Sequence, residues 1–323
     1  MNVKSRARIG AVVSAAALAV GAMAAPAVAD PSNGFRVLAG AGSDTTQDVL
    51  NGLGDSVDGG NTVASYDATG SATVKTRATG CVINRPNGSS AGIDALRNAV
   101  DTSTGCLDFA RSSRGPADTS TTDLTWIPFA KDAVTVAVRG DSALSNGLDL
   151  TTAQLHDIYT CSLTSVNGVA LTPLLPQTNS GTRTFFLGQI GVAESAVGTC
   201  VGSMQEHNGE ALDSAGDIAP YSVAQYIAQT GGIVNDRHGA TVLGRVNGSA
   251  PQNADGTLNV GFTYNRDVYN VVPTSKLSNA TIASTFAGSG SKLCNDADTI
   301  QLYGFGVITN CGDTTDPDLK GER

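Results

Sequence analysis

Short apolar runs alternate with stretches of helical periodicity along most of the chain. Val49, Leu50 and Leu53 share one face of a helix predicted over 45–53, and Ile93, Leu96 and Val100 do the same over 91–100. Residues 133–138, Ala-Val-Thr-Val-Ala-Val, read as a buried strand rich in β-branched side chains. A helix over 151–159 would turn Leu155, Ile158 and Tyr159 inward behind Thr151 or Thr152 as N-cap. A short strand ending at Tyr221 leads into a helix over 222–228, strands are predicted at 35–38 and 268–272, and one more falls within 299–307. This alternation predicts an α/β fold with mainly parallel sheets. Gly-rich junctions are spread evenly, so no single linker divides the chain.

The amino-terminal stretch breaks the pattern. Lys4, Arg6 and Arg8 precede an Ala-rich apolar segment over 9–25, and Ala27-Val28-Ala29 follows as a small-x-small cleavage signal. We read residues 1–29 as a secretory signal peptide, cleaved near Ala29, rather than a membrane anchor. No later run reaches the ~18 apolar residues a membrane span needs. The mature chain is expected to be secreted or periplasmic, with no membrane insertion. Cleavage removes three basic residues, leaving 17 Lys plus Arg against 29 Asp plus Glu, a net charge of −12. That balance argues against nucleic acid as partner, because polyanions select basic surfaces. No CxxC, HExxH or clustered His/Cys spacing points to a metal, and no cofactor is expected. His156, His207 and His238 share no partner pattern and receive no role. Six cysteines in an exported chain read as disulfides. Of the 15 possible pairings we expect neighbours, Cys81–Cys106, Cys161–Cys200 and Cys294–Cys311.

Three Gly/Ser/Thr loops stand at predicted helix starts. They are Gly40-Ala41-Gly42-Ser43-Asp44-Thr45-Thr46, Asn87-Gly88-Ser89-Ser90-Ala91-Gly92 and Asn179-Ser180-Gly181-Thr182-Arg183. Each presents backbone N–H groups and hydroxyls where a helix dipole favours an anion. Ordinary N-capping is the competing reading of each loop taken singly.

The loops also carry a resemblance. The chain resembles the phosphate-binding components of ABC importers, within the type II periplasmic-binding-protein superfamily, from about residue 35 to 307. Gly40-Ala41-Gly42 is similar to the family's first phosphate loop and Gly88-Ser89-Ser90 to its second. Asp108-Phe109-Ala110-Arg111-Ser112-Ser113 is similar to the stretch ending in the family's anion-facing Asp. Leu155-His156-Asp157-Ile158-Tyr159 and Ser180-Gly181-Thr182 are the more specific matches. The resemblance implies a two-lobed α/β fold with a hinge of two crossing segments. It implies anion contacts from Asp44, Thr45, Ser89, Ser180, Gly181 and Thr182, and Ser43 beside them in the first loop is a further candidate. The charges differ from the family pattern. Ser113, followed by Arg114, replaces the anion-facing Asp; Leu175-Pro176-Gln177 replaces an Arg; Arg183 follows the third loop; and Asp44 stands where a neutral residue is usual. Ser113, Arg114 and Arg183 therefore join the candidate set.

The expected protein is a non-catalytic, monomeric solute-binding protein for phosphate or a related oxyanion or organophosphate, with an ABC permease as the partner the resemblance implies. Lobe 1 would comprise 30–130 plus 262–323 and lobe 2 131–261. A ligand-free extracellular interaction protein on the same fold is the alternative. A serine hydrolase is the third reading, since Gly88-Ser89-Ser90-Ala91-Gly92 fits Gly-x-Ser-x-Gly, with Asp236 and His238 following. Asn84-Arg85-Pro86-Asn87 supplies no strand running into that elbow, and Trp126 is read as packing.

Overall fold

The computed structural model describes residues 30, 31 and 34–323; the predicted signal peptide lies outside them. The principal strands are β1 (Leu38–Gly42), β2 (Val63–Ser65), β3 (Phe109–Ser112), β4 (Leu124–Arg139), β5 (Thr172–Pro176), β6 (Gly202–Met204), β7 (Asp217–Ser222), β8 (Thr241–Leu243), β9 (Asn265–Pro273) and β10 (Lys320–Gly321). They form one connected sheet in the order β6-β5-β7-β4-β9-β3-β1-β2, with β8 and β10 also paired to β4.

The long strand β4 explains the two-lobed form. Its first half pairs with β9, from Leu124 opposite Pro273 to Ala133 opposite Asn265, and its second half pairs with β7. One strand thus serves two cores. Beyond the crossing, Val134, Val136 and Val138 pack with Leu155, Phe186 and Ile218. Before it, Ile127 and Phe129 face Leu50, Leu53 and Phe109, while Trp126 faces Ile93 and Leu96 on the opposite side of the sheet. The two crossing strands β4 and β9 are the hinge segments.

Parallel pairing is confined to the flanks, at β1–β2, β1–β3, β5–β6 and β5–β7. The centre is antiparallel, because β4 and β9 cross between the lobes in opposite directions and each pairs antiparallel to a flank. The expectation of mainly parallel sheets is corrected accordingly.

The main helices are α1 (Gln47–Ser56), α2 (Ser89–Asp101), α3 (Thr152–Tyr159), α4 (Gly181–Gln189), α5 (Val223–Thr230), α6 (Ala280–Phe286) and α7 (Ala297–Leu302). Thr151 caps α3 in a reciprocal box with Gln154, and Ser222 caps α5. The strand predicted within 299–307 is instead α7. Asp296 caps it through the Thr299 N–H, and Ile300 alone of its residues is buried. The first strand also lies later than predicted. Gly40 and Gly42 belong to β1, where a Cβ on Gly40 would fall 2.3 Å from the Phe109 ring. These glycines allow close strand packing, and the loop proper begins at Ser43. The three expected disulfides are formed, with Cα separations of 5.1, 6.0 and 5.8 Å. No helix among the described residues is long and apolar enough to cross a membrane.

Candidate functional site

The helix starts meet where the lobes touch. The segment Ser43-Asp44-Thr45-Thr46 enters α1, Ser89 opens α2, and Ser180 is the N-cap of α4, where its Oγ accepts from the Arg183 N–H at 3.1 Å. The approach between α2 and α4 is close enough to require glycine. A Cβ on Gly181 would lie 2.3 Å from Ser89 Oγ and 2.4 Å from Ser113 Oγ. A Cβ on Gly88, which has φ +106°, would meet the Asn179 carbonyl oxygen at 2.4 Å, and the Ser90 N–H donates to that same oxygen. Asn179 takes φ +70°, a left-handed value that asparagine tolerates better than most residues.

Thr45 is the hub of the hydroxyl cluster. Its Oγ1 lies 3.1 Å from Thr182 Oγ1 across the interlobe boundary and 3.4 Å from Ser113 Oγ. Ser113 Oγ is 3.3 Å from Ser89 Oγ, which accepts from the Ser113 N–H at 3.0 Å. Ser43, Asp44, Thr45, Ser89, Ser113, Ser180 and Thr182 are all fully buried. The structure therefore brings Thr45, Ser89, Ser113 and Thr182 together, with Gly181 filling the contact between them, while the Ser43 hydroxyl is buried without a partner.

Two candidates face elsewhere. Arg183 turns back along α4, pairing with Glu194 and donating to the Pro176 carbonyl at 3.0 Å. Arg114 bends toward α2, giving Nε and Nη2 hydrogen bonds to Ser90 Oγ at 3.2 and 3.0 Å and an Nη1 bond to the Gly115 carbonyl. Neither guanidinium reaches the hydroxyl cluster, because each satisfies its donors on nearer acceptors.

The cation at the cluster is Arg266, which sequence reasoning missed. It sits on β9 opposite Asp132 of β4, so it projects from the hinge itself. Arg266 Nε and Nη2 donate to Asp132 Oδ2 at 3.1 and 2.8 Å, and Nη2 also donates to Thr182 Oγ1 at 2.8 Å. Its Nη1 is buried without a protein partner, and its guanidinium carbon lies 5.3 Å from the Phe185 ring centroid. Asp132 is held in turn by Ser222 Oγ at 2.8 Å and the Ala224 N–H at 3.2 Å, at the start of α5. The available signal was a lone Asp inside the apolar run of β4, since a buried charge needs a partner.

Glu206 and His207 were also missed. They follow β6, at the carboxyl end of a parallel strand, where α/β sheets place ligand-handling loops. Glu206 Oε1 accepts from Thr45 Oγ1 at 2.8 Å, from Thr182 Oγ1 at 3.2 Å and from His207 Nε2 at 3.0 Å. The Ser222 N–H donates to His207 Nδ1 at 3.3 Å, which leaves Nε2 as the ring's N–H donor. Burial alone would raise the Glu206 pKa, but the His207 ring, by its hydrogen bond and its charge when protonated, with hydrogen bonds from Ser180 and Thr45, holds it down at about 2. Two more acids flank the cluster. Burial raises the Asp44 carboxyl, with Arg237 opposing from 3.8 Å, and burial raises Asp48 with Asp44 adding to the effect. Beneath the first loop, buried Arg111 donates Nε to the Ser43 carbonyl and Nη1 to Tyr66 O, and its own pKa is pushed down to about 10 by burial.

With Nδ1 occupied as an acceptor, His207 Nε2 carries its proton and takes none from Thr45. Ser90 Oγ is engaged by Arg114 instead of an imidazole, and His238 pairs with Asp236 in an exposed loop. Among the described residues, no group of three or more His, Cys, Asp or Glu side chains could hold a metal ion.

No protein-family model matches the chain, and no curated protein sequence is similar to it. Solved structures share its fold. A phosphate ABC transporter substrate-binding protein with bound phosphate from Clostridium perfringens superposes with a TM-score of 0.58 at 16% identity, covering 84% of this chain and 99% of its own. An ABC-type phosphate transport receptor from Vibrio cholerae gives 0.55 at 16% identity, over 84% and 100%. OxyR from Corynebacterium glutamicum gives 0.50 at 12% identity, over 84% and 68%. The fold is thus the two-lobed type II periplasmic-binding-protein fold, and the role rests on the site.

Proposed function

We propose that this chain is an exported solute-binding protein that captures a small oxyanion between its lobes. The observation that carries this reading is the convergence of three helix starts from both lobes on one buried hydroxyl cluster beside Arg266. Hydroxyls and a forked guanidinium at helix N-termini supply charge-assisted hydrogen bonds without reactive chemistry. The fold neighbours whose names mention phosphate make phosphate or an organic phosphate the leading ligand. The reading assigns the protein no catalysis.

In this reading residues 30–130 plus 262–323 move as one body and 131–261 as the other, hinged where β4 and β9 cross. The mature, monomeric chain begins near Asp30 outside the cytoplasmic membrane and delivers its solute to an ABC permease. Ser43, Thr45, Ser89, Ser113, Ser180, Gly181, Thr182 and Arg266 form the ligand site, with Asp44 at its edge. A bound solute stabilises the fold by RT ln(1 + [L]/Kd), so a thermal-shift panel tests the reading. Phosphate, sulfate, phosphonates and sugar phosphates form the panel, with T182A as control. A shift in the wild type that T182A abolishes is the expected result. No shift with any oxyanion refutes the reading.

A further inference from the structure

The oxygen at the centre of the donor cluster belongs to the protein itself. Glu206 Oε1 receives the hydroxyl protons of Thr45, from lobe 1, and Thr182, from lobe 2, together with the His207 Nε2 proton. Its other oxygen accepts from Gln177 Nε2 at 3.3 Å. Four donors on one wholly buried carboxylate, three of them on Oε1, amount to the coordination expected around a bound oxyanion. Arg266 extends the chain, donating to Thr182, which donates to Glu206. Each threonine hydroxyl has a single proton, so a second anion cannot take these donors while Glu206 keeps them.

The loop around this glutamate is fastened to both lobes. Gln205 Nε2 donates to Asp44 Oδ2 at 2.9 Å, and Asn87 Nδ2 donates to Gln205 Oε1 at 3.0 Å, both contacts reaching lobe 1. The Glu206 N–H donates to Gln177 Oε1 at 2.9 Å within lobe 2. His207 adopts φ +56°, a left-handed conformation that costs a residue with a Cβ, and holds its ring against the carboxylate. These contacts form a latch.

Resting on the solute-binding reading, we propose that Glu206 is a tethered anion. Its carboxylate takes the place of a free oxyanion and draws the lobes together, and a solute must displace it to bind. Glu206 then sets both affinity and selectivity. An incoming anion exchanges with a carboxylate that is always present, so weakly hydrogen-bonding anions fail to compete, and the protein responds only to solutes that use the donors better than a carboxylate does.

The test compares wild type with E206Q, which keeps the shape and removes the charge, and with E206A, which removes the group. Inorganic phosphate is titrated calorimetrically into each, small-angle scattering is recorded without phosphate, and acetate is tried as a detached carboxylate. Phosphate is expected to bind E206Q at least tenfold more tightly than wild type. E206A is expected to scatter as a more open particle, and millimolar acetate to raise its melting temperature while leaving wild type unchanged. Where phosphate binds either protein measurably, equal or weaker binding by E206Q than by wild type overturns the proposal, because a merely structural glutamate gains no affinity on neutralisation. An E206A scattering profile identical to wild type, unresponsive to acetate, also overturns it. Absence of phosphate binding in all three proteins, with acetate rescue of E206A intact, supports the tethered anion and removes phosphate as the solute.

Discussion

Replacing Arg266 by Met tests whether the hinge cation is a working part of the site. The guanidinium is buried and gives two hydrogen bonds to the fully buried Asp132. Methionine matches much of its apolar volume but strands the Asp132 carboxylate. Breaking a buried ion pair by removing one partner costs about 3–5 kcal/mol. The lower end applies, because Ser222 Oγ and the Ala224 N–H still donate to Asp132. At about 2 °C per kcal/mol for a chain of this size, R266M should melt roughly 6 °C below wild type. Adding D132N removes the stranded charge, and the double variant should recover more than half of the loss. The same substitution removes the Nη2 donor to Thr182. The double variant should therefore remain deficient in oxyanion binding after stability is restored. Calorimetry and thermal denaturation of the wild type, both single variants and the double variant separate the two effects. Additive losses in the double variant, or undiminished anion affinity, would refute the assignment of Arg266 to both pair and site.

Three other outcomes follow from the geometry. G181A places a methyl group within 2.4 Å of the Ser89 and Ser113 hydroxyls, so it should hold the lobes apart and weaken oxyanion binding at least tenfold by calorimetry. R183A should leave that affinity within twofold, because Arg183 spends its donors on Glu194 and Pro176. Acid denaturation should show a contribution from Glu206. Its folded-state pKa, about 2, lies below the ordinary value of 4.5, so the stability it confers is fully present above about pH 4.5 and is lost as pH falls toward 2. In E206Q that part of the acid profile should flatten, as measured by denaturant titration at stepped pH.

Much of the fold was legible because it depends on neighbours in sequence. The amphipathic spacing of Leu50 and Leu53, the Thr151 cap and the three disulfides each follow from residues close along the chain. The hydroxyl-bearing helix starts were legible for the same reason, since capping chemistry is local. What escaped was long-range. Asp132 and Arg266 are 134 positions apart, and Thr45 and Glu206 are 161 apart, so only the crossing of β4 with β9 and the closing of the lobes pair them. Arg114 and Arg183 looked like site cations because they adjoin the right loops, yet a long side chain goes to the nearest acceptors its helix or turn offers. A strand was expected within 299–307, where Tyr303, Phe305 and Val307 alternate with glycines, while the Asp296 cap that begins the helix carries no hydrophobic signal.

The central claim is that both lobes present their hydroxyls to one small anion beside the hinge arginine. A crystal structure of the protein grown in saturating inorganic phosphate tests it most directly. Tetrahedral density is expected within hydrogen-bond distance of Thr45, Thr182 and Arg266, with the Glu206 carboxylate displaced from Thr45. Phosphate bound away from this cluster, or Glu206 still holding the Thr45 and Thr182 hydroxyls at saturation, would contradict it.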